Sequence, residues 1–421
     1  MKKRLQFRKK SMALMILGIM ICSSQLFEVT GSYAQTASNS NQTTSNNTQT
    51  NTSKVRAVWI SYFELEPMLK NKTEAEFRVR VSDMFSGLAQ DKMNTVMVQV
   101  RPFGDALYKS KLFPSSYMIT GVEGDAMAYD PFKIMIEEAK KNKLKIEAWV
   151  NPYRVRINTI KAPISMKNRA VLWQNDGSNR VVKISSGTFY NPSDERVNAL
   201  VVESVKEIIT NYAVDGIHFD DYFYPTSDAS FDKIQYESYL KKGGKLKLAD
   251  FRRERINQMV KAVYKVTKNG KRKVQFGISP QGLIQNNYDS QYADVKKWVT
   301  TKGYVDYICP QLYYGFRNSK APFMTILDEW NNLTQKSKVD VYIGLAPYKI
   351  GIDDKWSGLG KLEWIEDENI LSRMVLESQK VKKYKGFVIF RYDSLWNPDL
   401  RVMEKVNLER LALLELFKNQ N

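Results

Sequence analysis

The feature that most constrains this chain is an alternation of strand-like and helix-like segments that repeats eight times. Eight short runs rich in β-branched and aromatic residues are each bounded by loop residues. They begin at Val55, Thr95, Lys145, Val214, Val274, Val305, Val339 and Gly386. Helical patterns, with apolar residues three and four positions apart, lie between them. The clearest of these cover residues 74–92, 130–143, 194–212 and 248–270.

This alternation predicts an α/β fold, a parallel (β/α)8 TIM barrel that occupies residues 55–421 as a single domain. A chain of 421 residues is long enough for one large domain. The rival is an ordinary doubly wound sheet, but no glycine-rich phosphate loop follows the first strand. In TIM barrels the functional groups lie at the carboxyl ends of the strands, and the search for a site therefore starts there.

The first 34 residues have the pattern of a signal peptide. A basic segment precedes an apolar run of 11 residues, Met12 to Cys22, which is too short to span a membrane. Small residues at Ser32 and Ala34 favour cleavage after Ala34. Two alternatives are lipoprotein processing at Cys22, which the bulky Ile21 disfavours, and an uncleaved anchor. We therefore expect a secreted or cell-envelope protein.

Residues 35–54 are almost entirely Ser, Thr, Asn and Gln, which predicts a disordered linker. The whole chain carries a formal charge of +19, with 64 Lys and Arg against 45 Asp and Glu. Cleavage after Ala34 removes six basic residues and one acidic residue, which leaves a formal charge of about +14. Such a charge suits an anionic partner such as a bacterial wall or membrane face, although a lysine-rich proteome alone would also produce it.

Other partners are less favoured by the sequence. No nucleic-acid-binding motif is present, and an exported protein meets little nucleic acid. Cys309 is the one cysteine left after removal of the signal peptide, so an internal disulfide is excluded. Cys309 lies in an apolar strand, and we expect it to be buried and inert. We expect a monomer.

Side-chain alternation along each strand predicts which residues face the barrel axis. In the fourth strand Ile217 and Phe219 should face the helices, which turns His218 and Asp220 inward. Asp221 should then point the other way unless the chain bends. The same rule directs inward, at or near the top of the other strands, Gln99, Arg101, Glu147, Trp149, Asn151, Ser279, Gln281, Gln311, Tyr313 and Tyr348.

The inward-facing set suits a carbohydrate cleft. Planar polar groups bind sugar hydroxyls, and aromatic rings pack on the C–H faces of pyranose rings. We therefore take eight residues as candidate substrate-binding residues: Arg101, Trp149, Asn151, His218, Gln281, Gln311, Tyr313 and Tyr348.

Several chemistries are excluded by what the sequence lacks. His218 is the only histidine, so histidine-rich zinc sites are excluded, and no HExxH motif occurs. A serine nucleophile elbow, GxSxG, is also absent. We expect no metal and no cofactor, and we expect His218 to support Asp220 by hydrogen bonding.

Carboxylates remain as the catalytic groups. Hydrolysis of a glycosidic bond uses one carboxyl group as acid and another as nucleophile or base. Asp220, at the top of the fourth strand, is the first. The candidates for the second are Asp393 after the eighth strand, then Asp105 after the second strand, then Asp221. Glu147 points inward but lies too deep in its strand.

Short motifs at all eight strand ends resemble those of glycosyl-hydrolase-like family 10, a family of bacterial exported proteins. The motifs include QVRPFGDALY, AWVNPYR, DGIHFDDYFYP and DYICPQLYYGF, and the resemblance extends from about Val55 to near Asn397. It implies a barrel similar to glycosidases that act on peptidoglycan glycan strands, notably strands stripped of their stem peptides. It also implies that Asp220 occupies the place of the strand-four nucleophile. The fifth strand, with Ser279 and Gln281, departs from the related barrels that keep an acid there.

The sequence therefore predicts a secreted glycoside hydrolase acting on a bacterial polysaccharide, with peptidoglycan as the preferred substrate. Two alternatives stay open at this point. One is a barrel that binds glycans without cleaving them, and the other is a glycosidase for a different polysaccharide.

Overall fold

The computed structural model describes residues 54–270 and 272–418, and eight of its strands form one closed parallel barrel. Each barrel strand pairs with its neighbours in chain order, and the last strand pairs with the first, which closes the barrel. Their bounds are Val55–Ile60 (β1), Thr95–Arg101 (β2), Lys145–Val150 (β3), Gly216–Phe219 (β7), Gln275–Ile278 (β8), Tyr307–Ile308 (β9), Asp340–Leu345 (β10) and Tyr384–Ile389 (β11). The predicted TIM barrel is confirmed, with all eight strands in the predicted places.

A helix follows each barrel strand and packs outside it, as the alternation predicts. The helices are Glu74–Gln90, Pro131–Lys141, Glu195–Asn211, Leu248–Asn269, Val295–Thr300, Phe323–Thr334, Ile370–Ser378 and Met403–Glu415. Shorter helices are Tyr62–Leu69, Tyr117–Thr120, Arg169–Gln174, Lys233–Lys241, Ile284–Asp289, Glu363–Glu366 and Tyr392–Trp396, and two 3-10 turns are Pro347–Lys349 and Gly358–Gly360.

Side-chain caps fix the starts of three of the long helices. Thr73 and Glu76 form a reciprocal capping box at one of them. Asp130 caps the next, where Pro131 occupies the first turn, and the Asp194 side chain accepts from two backbone N–H groups at a third. These local signals fix the starts of three of the four helices predicted most clearly, whereas the fourth, Leu248–Asn269, begins without a side-chain cap.

Two apolar clusters confirm the predicted alternation along the strands. The larger lies between the strands and the helices and includes Ile217, Phe219, Val96 and Ile146. The smaller fills the barrel interior, and its buried members are Ala57, Trp59, Met97, Trp149, Tyr307, Cys309, Tyr342 and Val388. The interior is therefore a packed core, and the polar residues of the strand ends form its upper layer.

An antiparallel sheet not predicted from the sequence branches off after β3. It consists of β4 (Arg154–Ile157), β5 (Val181–Ile184) and β6 (Gly187–Tyr190), in the order β4-β6-β5. Since β4 begins only four residues after β3 ends, its first residues lie beside the carboxyl ends of the barrel strands. This sheet therefore adds side chains to the mouth of the barrel.

Among the residues described, no helix is both long and apolar enough to cross a membrane. The predicted signal peptide, its cleavage after Ala34, the alternative at Cys22 and nearly all of the linker lie outside the described residues.

Candidate active site

The chain bends as soon as β7 ends, and this bend brings two carboxylates to the barrel mouth. β7 stops at Phe219, so Asp220 and Asp221 are released from strict strand alternation. Both side chains are buried, with 4% and 8% of their surface exposed. Because the regular strand ends at Phe219, alternation does not apply to Asp221, and the bend that the sequence left open for this residue is the one found.

Asp220 is held by two side-chain donors from β3 and the loop after it. Its Oδ2 accepts hydrogen bonds from Trp149 Nε1 at 3.2 Å and from Asn151 Nδ2 at 2.7 Å. Its Oδ1 accepts the backbone N–H of Tyr222 at 3.4 Å. The inward positions predicted for Trp149, Asn151 and Asp220 therefore correspond to one hydrogen-bonded group.

A chain of hydrogen-bonded amides behind Asp220 fixes the orientation of the Asn151 side chain. Gln99 Nε2 donates to Asn151 Oδ1 at 2.7 Å, and the backbone N–H of Tyr62 donates to Gln99 Oε1 at 3.0 Å. Each amide therefore has its oxygen occupied, which leaves its N–H group to donate onward. The ends of β1, β2 and β3 together aim the Asn151 N–H group at Asp220.

Asp221 is bound on the opposite side, at the ends of β8 and β9. Gln311 Nε2 donates to Asp221 Oδ1 at 3.3 Å and also to the carbonyl of Ser279 at 3.1 Å. The side chain of Gln281 donates to Asp221 as well. Two predicted substrate-binding glutamines thus contact a carboxylate of the chain itself, at the cleft.

The two carboxylates share a buried site with one arginine nearby. Burial, and then the charge of Asp221, raise the pKa of Asp220 to about 7, against the opposing effect of Arg154. Burial also raises the pKa of Asp221, against the hydrogen bonds from Gln281 and Gln311. Because two like charges in one buried site resist simultaneous ionisation, the pair retains a proton near neutral pH.

His218 faces inward as predicted, but its hydrogen-bonding partners lie deeper in the barrel. Trp59 Nε1 donates to His218 Nε2 at 3.0 Å, and His218 Nδ1 lies 2.8 Å from the Tyr307 hydroxyl. Since tryptophan can only donate, the histidine carries its proton on Nδ1. The Tyr307 hydroxyl in turn lies 2.5 Å from Glu147 Oε2.

No hydrogen bond joins His218 to Asp220 among the described residues, so the expected direct support of Asp220 by His218 is wrong. Both ring nitrogens of this fully buried residue are already occupied. Burial lowers the pKa of His218 to about 3 and raises that of Glu147 to about 8. The layer beneath the site is therefore a neutral polar network that packs against Trp149.

Arg101 lies on the outer side of the barrel, contrary to its predicted inward position. A bulge in β2 falls between Gln99 and Arg101, so that Arg101 pairs with the outward-facing Val150. The guanidinium carbon lies 4.6 Å from the Phe113 ring centroid, and the residue is fully buried. The bulge adds one residue to the strand, and the Arg101 side chain therefore faces the helices instead of the barrel axis.

Asp105 is a buried member of a loop cluster. It accepts from Ser116 Oγ at 3.0 Å and lies 3.8 Å from Arg156 Nη2. Arg156 also pairs with Glu123. Asp105 shares none of these partners with Asp220, so its contacts are those of a structural group.

Asp393 lies at the rim beyond β11, in the helix Tyr392–Trp396. Its carboxylate pairs with Arg391 at 3.1 Å and accepts from Asn397 at 3.2 Å, and about a third of its side chain is exposed. Arg391 also pairs with the buried Glu64. Asp393 is therefore already engaged in a charge network of its own.

Aromatic side chains line the mouth at the ends of β9, β10 and β11. The rings of Tyr313 and Tyr348 meet edge to face at 6.0 Å, and Phe390 lies 5.6 Å from Tyr313. All three are partly exposed. Tyr313 and Tyr348 were predicted here, whereas Phe390 was not among the predicted site residues.

The sequence profile of the family described as "Glycosyl hydrolase-like 10" matches residues 54–358. The chain belongs to the glycosyl hydrolase-like 10 family. It is similar to "Glycosyl hydrolase YngK" of Bacillus subtilis, at 31% identity over 85% of this chain and 71% of the relative. It is equally similar to "Glycosyl hydrolase DigH" of Escherichia coli, at 31% identity over 94% and 95%.

Solved structures agree on the fold. The glycoside hydrolase domain of PgaB from Bordetella bronchiseptica covers 87% of this chain and 100% of its own, with a TM-score of 0.53 and 11% identity. The part matched to the glycosyl hydrolase-like 10 profile contains seven of the eight barrel strands and the Asp220–Asp221 pair. Phe390, Asp393 and β11 lie beyond it.

Sequence reasoning missed the other charged residue of this glycosyl hydrolase-like 10 site, Arg154. It stands at the start of β4, in the quoted motif AWVNPYR, and opposes the raised pKa of both aspartates. Tyr222, 43% exposed, was missed with it. A basic residue three positions after an inward-facing Asn was the one available signal.

Proposed function

We propose that this chain hydrolyses glycosidic bonds in the glycan strands of peptidoglycan. The observation that carries the proposal is the buried Asp220–Asp221 pair at the barrel mouth. A carboxyl group that keeps its proton near neutral pH beside one that is ionised is the pair that glycoside hydrolysis uses. The names of the relatives YngK and DigH, both glycosyl hydrolases, support the reaction class.

Asp220 is the proton donor in this proposal. Oδ2 already accepts from Trp149 and Asn151, so the proton resides on Oδ1. Asp220 delivers this proton to the glycosidic oxygen as the bond to the anomeric carbon breaks. Now ionised, it takes a proton from the water that replaces the leaving sugar, and this restores the starting state.

Asp221 is the electrostatic partner. Gln281 and Gln311 donate to it, and these bonds favour its ionised form. A fixed negative charge stabilises the positive charge that develops on the sugar ring as the leaving group departs. The raised pKa of Asp220 favours the donor role over that of nucleophile, for which a carboxylate must be ionised.

The surroundings support a sugar polymer as substrate. Tyr313, Tyr348 and Phe390 offer apolar faces of the kind that pack on pyranose rings. The basic charge of the chain suits an anionic wall polymer. With the signal-like N-terminus, these features favour action outside the cell membrane, on the envelope.

The test is incubation of the purified protein with intact peptidoglycan and with peptide-stripped glycan strands, followed by mass analysis of the soluble products. Saccharide fragments should appear with the wild type, and Asp220→Asn should lower their rate of release at least ~10³-fold. Asp393→Asn is the matched control and should remain active. If no saccharide is released from either substrate, the chain is a glycan-binding barrel or acts on another polymer.

A further inference from the structure

The loop that follows β10 carries a large share of the exposed apolar side chains. Seventeen large apolar residues are exposed in the described part of the chain, and five of them lie in this one loop. They are Ile352, Trp356, Leu359, Leu362 and Ile365, and Trp356 is 67% exposed. Exposed apolar residues scattered singly need no explanation, whereas a concentration of them marks a surface that binds something.

Trp356 stands on a part of this loop that is held in shape. Its neighbour Ser357 is buried, and the Ser357 hydroxyl donates to the carbonyl of Asp354 at 2.7 Å. The backbone N–H of Ser319 donates to the carbonyl of Ser357 at 2.9 Å, and the backbone N–H of Leu359 donates to the Ser319 hydroxyl at 2.8 Å. These bonds tie the loop to the one after β9, so that little backbone freedom is lost when a ligand binds.

The loop adjoins the barrel mouth. Lys349, which follows Tyr348 in the chain, pairs with Asp354 at 2.7 Å. Burial, and then the charges of Asp221 and Asp354, raise the pKa of Tyr314 to about 12. Since such charge effects fade over about 10 Å in salt solution, Tyr314 lies between the catalytic pair on one side and this loop on the other.

The chemistry of Trp356 suits a sugar ring. Tryptophan offers a large flat apolar face, of the kind that packs on the C–H face of a pyranose, and its indole N–H can donate to a hydroxyl. Tyr348 at the mouth and Trp356 on the loop are two aromatic surfaces that lead away from the Asp220–Asp221 pair. A single sugar at the pair does not extend past Tyr314 to Trp356, so that a strand of several sugars is needed to contact both.

We infer that Trp356 forms a distal subsite, which binds a sugar of the same glycan strand several residues away from the bond that is cleaved. The inference rests on the proposed function. Only strands long enough to extend from the Asp220–Asp221 pair to Trp356 make this additional contact. The protein therefore binds long strands more tightly than short fragments and favours bonds within long strands.

The experiment measures binding by calorimetry in an Asp220→Asn background, so that no ligand is consumed. Two peptide-free fragments of alternating N-acetylglucosamine and muramic residues are compared, one of four sugars and one of about ten. The longer fragment should bind about 5- to 30-fold more tightly, which is the scale expected for burial of one large aromatic face. Trp356→Ala should remove most of this difference, and Trp356→Phe should retain part of it, because phenylalanine keeps a flat ring.

Tryptophan fluorescence gives a second readout. All eight tryptophans lie in the described residues, and the seven besides Trp356 are buried or half-buried. Acrylamide should therefore quench Trp356 most strongly. The longer fragment should protect this tryptophan from acrylamide, whereas the shorter fragment should not. The protection should be missing from Trp356→Ala.

Leu359→Ala is the matched control. Leu359 is 90% exposed and lies in the same loop, but it has no ring. The preference for the longer fragment should survive this change. Equal loss of the preference in Leu359→Ala and Trp356→Ala, or no loss in either, overturns the inference. So does a preference that Trp356→Ala retains while light scattering shows a dimer turned into a monomer, since the loop is then a contact between copies of the chain.

The outcomes separate this inference from the proposed function. If peptidoglycan strands are cleaved but Trp356→Ala leaves the preference for length unchanged, the function stands and the distal subsite is wrong. A cellulose oligomer of the same length serves as the third ligand. If it alone binds, and Trp356→Ala weakens its binding, the distal subsite stands while peptidoglycan is the wrong polymer. If no ligand binds, both proposals fall.

Discussion

Two clusters of similar composition flank the segment that follows β7, and they differ in how fully their polar groups are paired. The anchor cluster consists of Arg252, Asp232, Tyr224 and Tyr292. Arg252 lies over both tyrosine rings, at 5.1 and 4.9 Å from their centroids. It forms two hydrogen bonds with Asp232, at 2.9 and 2.6 Å, and others with Tyr292 and two backbone carbonyls.

The cleft cluster consists of Arg154, Asp220, Asp221 and Tyr222. It too has an arginine over aromatic rings. Here, however, the arginine makes one hydrogen bond, to a backbone carbonyl, and two aspartates repel each other. Fully paired groups fix a chain in place, whereas groups left unpaired retain the capacity to bind or to transfer a proton.

The comparison indicates that the two ends of residues 220–232 have different roles, one structural and one functional. The anchor cluster holds the far end of this segment, so that its beginning can carry charges that oppose folding. Functional sites commonly break the rules that the rest of the molecule obeys, at the expense of stability. Each prediction below tests whether the two clusters differ in this way.

The largest effect on stability should come from Arg252→Met. This change leaves the fully buried Asp232 without its cation and frees two backbone carbonyls. The free energy of unfolding, measured by urea denaturation, should fall by about 3–5 kcal/mol. Arg154→Met, the counterpart in the cleft cluster, should cost at most about 1 kcal/mol, since it removes a single hydrogen bond and retains the apolar packing. Equal losses would show that the clusters do not differ.

A smaller effect should appear in the pH dependence of stability. Burial and Asp221 raise the pKa of Asp220 to about 7, whereas the same group in the unfolded chain ionises near pH 4. Between these values the folded state holds a proton that the unfolded state has lost. The stability contributed by Asp220 is therefore fully present below about pH 4 and is lost as the pH rises through 7, with a slope of at most about 1.4 kcal/mol per pH unit.

Asp220→Asn should remove this dependence of stability on pH. The free energy of unfolding of wild type and variant, measured by urea denaturation at pH 4, 5.5 and 7, tests this expectation. The variant should gain stability relative to the wild type as the pH rises. Asp105→Asn is a second test, because burial also raises the pKa of Asp105 against the opposing charge of Arg156, and this variant should therefore gain stability in the same direction. If the free energy of unfolding changes with pH in the same way for wild type and Asp220→Asn, the raised pKa of Asp220 is contradicted.

The sequence predicted the barrel and much of the site because strand alternation is a local rule. It placed Trp149, Asn151, His218 and Asp220 correctly, since each of them lies in or directly after a regular strand. It failed at Arg101, where a bulge inserts one residue and reverses the side, and it could not decide the direction of Asp221, where the strand has already ended. Both cases come from breaks in regularity that composition does not reveal.

Arg154 and the partners of His218 could not be predicted for a different reason. Arg154 reaches the cleft because an antiparallel sheet branches off after β3, and its register depends on Phe189, 35 positions away. His218 meets Tyr307 from β9 across the barrel interior. Such contacts depend on the closed barrel as a whole, and no short stretch of sequence carries them.

The smallest expected effect concerns Cys309, which can report on the barrel core. It is fully buried inside the barrel, and burial raises the pKa of its thiol. A thiol reagent should therefore label native protein only through opening of the structure, as peptide mass analysis at this cysteine would show. Arg252→Met, which weakens the whole fold, should speed labelling markedly. Arg154→Met should leave the labelling rate within about fivefold of wild type, because it costs at most about 1 kcal/mol. Rapid labelling of Arg154→Met would mean that the cleft arginine supports the barrel itself, and the distinction between the anchor and cleft clusters would then fail.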